Sequence, residues 1–293
     1  APAAVMAKLA VTRLLLTNFR SYVSGEITVS ARPVVLAGPN GAGKTNILDA
    51  ISLLSPGRGL RGAKLGDHTR HGPSSHSDAL WAVAATISRA NEAYEIGTGL
   101  TLAPGGGERR KVHLNGARSN NTADLADLVQ TAWLTPAMDR LFIESASGRR
   151  KFLDRLVFGF ESDHARNAIR YETAMRERAR LLKYGPRDPA WLDGLEAEMS
   201  EAGVLVARSR AQTVERLNKA LEARGVAGAF PSAQLAICGE VDGLIAECAN
   251  PQNEFREQFA GHRIRDAEAG RTTFGPHLSD LAVRHVQKRA DAA

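Results

Sequence analysis

Pro33-Val34-Val35-Leu36-Ala37-Gly38-Pro39-Asn40-Gly41-Ala42-Gly43-Lys44-Thr45-Asn46-Ile47-Leu48 is the most informative segment of this chain. Gly38 to Thr45 match the phosphate-loop pattern G-x-x-x-x-G-K-[ST] in full. A short apolar run, Val34-Val35-Leu36, leads in, and such runs form buried central strands. Behind the loop, Ile47, Leu48, Ile51 and Leu54 recur at helical spacing. Glycine lets the backbone curl so that its N–H groups converge on phosphate, and a helix N-terminus adds partial positive charge there. Gly38, Pro39, Asn40, Gly41, Ala42, Gly43, Lys44, Thr45 and Asn46 are therefore the expected cofactor-binding residues, with ATP as the cofactor. Lys44 is expected at the β- and γ-phosphates, and the Thr45 hydroxyl on Mg²⁺. The bland alternative is a glycine turn ahead of a helix, and a chance match of this kind is on the order of one per cent by composition.

On the N-terminal side of this segment, Leu9 to Thr17 and Glu26 to Ser30 read as strands, with Gly25 at the turn between them. Pro56-Gly57 stops the helix behind the loop. Ala79 to Ser88, Tyr94 to Leu102 and Lys111 to Leu114 read as further strands, with a turn at Pro104 to Gly107. Thr131 to Leu134 reads as a short strand. From Arg149 to about Arg224 the spacing is helical, broken at Gly185-Pro186 and Gly225. Gln234 to Cys238 and Thr272 to Val286 return to β character. The order implies an α/β fold: a P-loop NTPase lobe with a mixed sheet over 1–120, a helical second domain inserted over 121–270, and a return strand to the first lobe over 271–293.

Lys and Arg outnumber Asp and Glu by 38 to 32, a net charge of +6 that permits nucleic-acid binding without demanding it. Aromatic content of 5% argues against an all-β sandwich. Cys238 and Cys248 fit no zinc or redox spacing and read as free thiols of a reducing compartment. No stretch approaches the ~18 apolar residues of a membrane helix, and the chain is read as cytoplasmic. His68, His71 and His76 lack carboxylate partners at metal-ligand spacing. Arg149, Arg150, Lys151 and Arg155, and the helix carrying Arg166, Arg170, Arg176, Arg178, Arg180 and Lys183, are candidates for DNA-backbone contact, weighed against a solvated helix face. No Ser-His-Asp or Cys-His signature is present, and no catalytic residue is assigned.

Several blocks resemble one family. Leu16-Thr17-Asn18-Phe19-Arg20-Ser21-Tyr22, the loop with Asn40 and Asn46 around Lys44, and Ser55-Pro56-Gly57-Arg58-Gly59-Leu60-Arg61 look like the N-terminal lobe of RecF. Trp133-Leu134-Thr135-Pro136, Arg149 to Arg155, and Arg271-Thr272-Thr273-Phe274-Gly275-Pro276-His277 continue the resemblance in the family's order. It implies an SMC-like ABC ATPase head that forms a homodimer with ATP. It also implies binding to single-stranded DNA and its junctions with duplex, and help in loading recombinase with RecO and RecR. Arg20, in the Asn-Phe-Arg block, becomes an expected nucleotide contact. The resemblance places a signature motif and a Walker B strand after the Gly-Pro-His block. Neither is found before Ala293, so the chain is read as cut off ahead of them, with no ATP turnover expected, and Asp280 sits in no Walker B context. Two other readings are a P-loop phosphotransferase acting on a small molecule and a non-catalytic DNA-binding module. Glycine-punctuated strands stand where the first would place its lid.

Overall fold

The computed structural model describes residues 9–70, 80–90, 92–103, 106–119, 121–185, 188–224 and 231–291. His71, His76, Pro104, Pro186 and Gly225, which the sequence singles out, lie outside them. The chain divides into two compact units, Ala1–Trp133 and Leu134–Ala293.

The first unit comprises β1 (Leu9–Phe19), β2 (Tyr22–Thr28), α1 (Lys44–Ser52), β3 (Ala82–Arg89), β4 (Glu92–Leu102), β5 (Glu108–Leu114) and β6 (Ala117–Ser119). The strands form one sheet in the order β2-β1-β3-β4-β5-β6. Every described ladder in it is antiparallel. Alternation sets the buried face: Val83, Ala85 and Ile87 on β3 and Ile96, Thr98 and Leu100 on β4 point inward. Leu14, Leu16, Phe19 and Trp81 complete this core with Ala50 of α1 and the Leu53-Leu54 pair just beyond that helix. Each fully buried Leu, Ile, Val or Phe among them contributes about 2 kcal/mol.

Two expectations need correction here. The β1–β2 connection is Arg20-Ser21, since Phe19 pairs with Tyr22, and Gly25 sits inside β2 opposite Leu16. Glycine suits that position because a Cβ there would stand 3.2 Å from Cδ1 of the Tyr22 ring. Pro33 to Ala37 is not a strand. A central strand needs ladder partners on its edges, and this run has none among the described residues; Val34 is 52% and Val35 89% exposed. Val34 and Leu36 line an apolar cleft of about 540 Å³ with Val11, Ile27, Ile47 and Ile51.

The second unit comprises α2 (Ala146–Val157), α3 (His164–Tyr184), α4 (Pro189–Arg224), β7 (Ala233–Cys238), α5 (Glu240–Glu247), α6 (Pro251–Gly261), α7 (Arg263–Ala269), β8 (Asp280–His285) and β9 (Ala290–Asp291). Helices α3 and α4 close tightly: Tyr171 and Ala174 share a core with Met199 and Ala202. Gly203 leaves room for the Tyr171 ring, whose Cε2 would be 3.2 Å from a Cβ. Phe255, Phe259 and Phe274 meet edge to face at 5.3–6.3 Å.

The boundaries differ from the expected 120 and 270. The first unit runs on to Trp133, and Thr131 to Leu134 forms no strand. Within the expected return strand, 271–293, the strand that forms is β8, and it pairs with β7 in a second sheet, β7-β8-β9, within the second unit. Its apolar side chains decide this: Leu281 and Val283 pack with Leu235 and Ile237 of β7, Leu153 and Val157 of α2, and Val214 of α4.

Candidate nucleotide-binding site

The loop Gly38 to Gly43 bends through backbone conformations that other residues rarely adopt: φ is 147° at Gly38, 85° at Gly41 and 89° at Gly43. Gly43 is the N-cap of α1, and its carbonyl accepts from the Asn46 and Ile47 N–H groups at 2.9 and 3.2 Å. A Cβ on Gly43 would also fall 2.6 Å from the Tyr22 hydroxyl, so glycine is required there twice over. The first N–H groups of α1 have no partner inside the helix, which leaves them for an anion. Lys44 folds back on the loop, its ammonium donating to the carbonyls of Gly38 at 2.6 Å and Pro39 at 2.7 Å. Pro39, Asn40, Gly41, Ala42 and Thr45 are exposed. Asn46 donates through Nδ2 to Ser21 Oγ at 2.8 Å and accepts from Arg61 Nη2 at 3.1 Å.

Behind the loop lies a charged cluster that the sequence did not single out. Asp49, one turn after Thr45, is fully buried. Arg20 donates Nε and Nη2 to its Oδ2 at 3.1 and 3.0 Å, and Nη1 to the Asp67 carbonyl at 2.8 Å. Arg20 holds this position with φ at 54°, and its own N–H donates to the His68 carbonyl at 2.8 Å. The structure thus brings Arg20 to the phosphate-loop helix through Asp49. His68, also fully buried, stacks on Phe19 and meets Trp81 edge-on, with Nδ1 3.6 Å from Asp49 Oδ2. Asp49 Oδ1 and both His68 ring nitrogens lack a hydrogen-bond partner among the described residues. Burial pushes the Asp49 carboxyl up, but His68 and the Arg20 guanidinium outweigh it and hold the group below the usual carboxylate range. A carboxylate one turn ahead of the buried Leu53, on the same side of the helix, was the available signal.

Arg110 was also missed. It reaches from β5 to the end of α1, donating to the carbonyls of Leu53, Ser55 and Gly57 and to Thr98 Oγ1. It thereby satisfies carbonyls of the C-cap and of the turn that follows the helix. Burial lowers its pKa to about 10. Nothing in its sequence context marked it.

The basic clusters of the second unit are committed to the fold in part. Arg149 makes a bidentate pair with Asp280 at 2.8 Å, and Arg150 donates to the Ser279 carbonyl at 2.9 Å. Arg178 is fully buried, bonded to Glu196, Asp266 and the Phe259 carbonyl. Arg170 pairs with Glu198 and Glu201, Arg176 with Glu172, and Arg180 with Glu177. Lys151 is exposed. His277 stands between Tyr171 and the Thr272 carbonyl: Nε2 must donate to that carbonyl at 3.1 Å, so Nδ1 accepts from the Tyr171 hydroxyl at 2.8 Å. Burial lowers its pKa, in keeping with this neutral form. Among the described residues no group of His, Cys, Asp and Glu forms a metal cluster, and no helix is long and apolar enough to cross a membrane.

Comparison with known proteins points to one family. The family model for the RecF/RecN/SMC N terminal domain matches residues 10–227. The DNA replication and repair protein RecF of Mesorhizobium japonicum is 43% identical over 284 residues, covering 96% of this chain and 74% of its own length. That of Caulobacter vibrioides is 45% identical over 297 residues, covering 98% and 76%. The chain therefore spans about three quarters of these relatives. The solved recombination mediator protein RecF-ATP of the RecFOR pathway superposes with a TM-score of 0.79 at 19% identity, over 97% of this chain and 75% of that one. The RecF-ATPrS form gives 0.77 at 18%, over 95% and 74%. With a phosphate loop in its first unit, a helical unit following it in sequence and these relatives along nearly its whole length, the chain belongs to the RecF family.

Proposed function

We propose that this chain binds ATP at Gly38–Thr45 and uses it as a switch for binding DNA in recombinational repair and replication. The complete phosphate loop, opening on α1 with Lys44 at its mouth, carries this reading. The names of the relatives supply the repair context. Lys44 would leave its loop carbonyls for the β- and γ-phosphates, and Arg20 would hold α1 in place from behind. Thr45, exposed on the first turn, is the side chain that would ligate Mg²⁺. The same reading includes a homodimer formed on ATP, a preference for single-stranded DNA and its junctions, work with RecO and RecR, and a cytoplasmic location.

The test is DNA binding by fluorescence anisotropy with and without ATP and Mg²⁺, across a salt series. Affinity should rise with ATP, and log affinity should fall linearly with log salt, because the contacts are to phosphate rather than to bases. Binding that ignores both ATP and salt, or that selects one sequence at equal length, would refute the reading.

A further inference from the structure

His68 closes a short turn, Gly66–His68, and its ring is sealed from solvent between Phe19, stacked at 5.6 Å, and Trp81, edge-on at 5.3 Å. Its carbonyl accepts the Arg20 N–H at 2.8 Å, which fixes the turn to the end of β1. Neither ring nitrogen has a hydrogen-bond partner among the described residues, and Nδ1 stands 3.6 Å from Asp49 Oδ2. Buried polar groups are nearly always bonded, so this pair calls for a reason. The Asp49 carboxylate is shared unevenly. Oδ2 takes both Arg20 bonds and has Arg61 Nε 3.9 Å away, while Oδ1 has no partner among the described residues. The acidic groups on or against the turn are engaged elsewhere: Asp67 accepts from the Lys64 N–H and Glu108 of β5 from the Gly66 N–H. Of the cations on the same stretch, Lys64 is exposed and Arg70 half-buried.

We propose that His68 and Asp49 form a proton-linked pair behind the phosphate loop: as a triphosphate fills the loop, His68 takes up a proton from solvent and donates a hydrogen bond from Nδ1 to Asp49. This rests on the ATP reading above. No bond within the protein breaks; a neutral imidazole and a solvent proton become an imidazolium. Without nucleotide, a charged ring would stand as a third cation beside Arg20 and Arg61, around a carboxylate that already accepts two bonds. Asp49 lies one turn past Thr45 on α1, so phosphate charge at the first turn of the helix acts on the same cluster. That charge offsets the two guanidinium groups, and the ring then charges and completes the ion pair. Asp49, held below the usual carboxylate range, remains ionised to receive it. The stack between Phe19 and Trp81 keeps the ring in place in both states. Because the bound state holds more protons than the free one, ATP binds more tightly as pH falls.

Isothermal titration of the whole chain with ATP and saturating Mg²⁺ tests this, in two buffers of different ionisation enthalpy, for wild type, His68→Phe and His68→Gln. Phenylalanine keeps the stack and glutamine keeps a polar group, and neither titrates. ATP and the other histidines titrate alike in all three chains, so a difference between them belongs to His68. In wild type the heat should depend on the buffer in the sense of added proton uptake relative to either variant. From about pH 8 to about pH 6, wild-type affinity should rise at least about threefold more than that of the variants. A merely structural His68 would instead change affinity by the same factor at every pH, with equal proton uptake in all three chains, and that result would overturn the proposal. Should neither variant fold, the imidazole nitrogen shifts of wild type carry the test at about pH 7. One ring should gain charge when ATP binds, and eight unchanged rings would overturn the proposal. If wild type binds no ATP, or Lys44→Ala binds it as tightly as wild type, the phosphate-loop reading itself fails and the proton linkage falls with it.

Discussion

Lys44 spends its hydrogen bonds on its own loop, and this is the geometry a triphosphate would compete with. Charge-assisted bonds contribute ~1.5–3 kcal/mol each. Lys44→Ala is therefore expected to weaken ATP binding at least about tenfold. Titration with a fluorescent analogue reads this directly, and equal affinities would remove the phosphate loop from the argument. Arg110 gives a different kind of prediction. Arg110→Ala leaves the carbonyls of Leu53, Ser55 and Gly57 without their donor, at a cost of about 2–4 kcal/mol in stability. Urea unfolding should show a lower midpoint at unchanged slope. A midpoint equal to wild type would mean that water replaces the guanidinium at no cost.

Between helices, α3 and α4 are joined by a buried ion network as well as by apolar packing. Arg178 bonds Glu196 and Asp266; Glu196 also holds Arg263, and Asp266 also accepts from the Thr273 N–H and hydroxyl. Arg178→Ala leaves two buried carboxylates short of a partner and is expected to cost about 3–5 kcal/mol. A loss under about 1 kcal/mol in chemical denaturation would contradict that. Acid should act on a second group of contacts. Burial raises the Asp154 carboxyl, but Arg210 and His164 outweigh it and bring its pKa to about 2. An Asp depressed in the fold adds stability above its ordinary pKa, and that stability is lost as pH falls from about 4 to about 2, in total ~2 kcal/mol. His277, buried and neutral, acts in the same direction at higher pH, because the unfolded chain takes up its proton first below about 6.5. Melting temperature should therefore fall in two stages between pH 7 and pH 2. Asp154→Asn should flatten the lower stage, and an unchanged profile would rule out Asp154 as its source. The helices and most strands were legible because apolar spacing reports them locally. The pairing of 280–285 with β7 was not, because β character names no partner. The partners of Asp49 and Arg110 were hidden for the same reason: their bonds span 29 and more than 50 residues. The glycine loop itself was fully legible, since its chemistry is contained in eight consecutive residues.

For the molecule as a whole, a net charge of +6 says less about partners than the pairing of the charges does. Much of the arginine in the helical unit is spent on carboxylates and carbonyls. The salt dependence of DNA binding should therefore report a few phosphate contacts, not the full cationic count. The run Val34-Val35-Leu36, with both valines exposed, bears on how the protein behaves in bulk. It is apolar and uncharged, two of its three side chains are β-branched, and its backbone has no ladder partner among the described residues. Such an edge is a template for strand addition between molecules. At high concentration the 293-residue chain should self-associate through it, forming β-rich aggregates that grow on warming, irrespective of nucleotide. Val35→Lys, at a side chain 89% exposed, should suppress this without loss of stability. Light scattering against concentration separates the two chains, and identical curves would clear the edge of blame. The stretch of sequence that announces the phosphate site would then also set how concentrated the protein can be kept in solution.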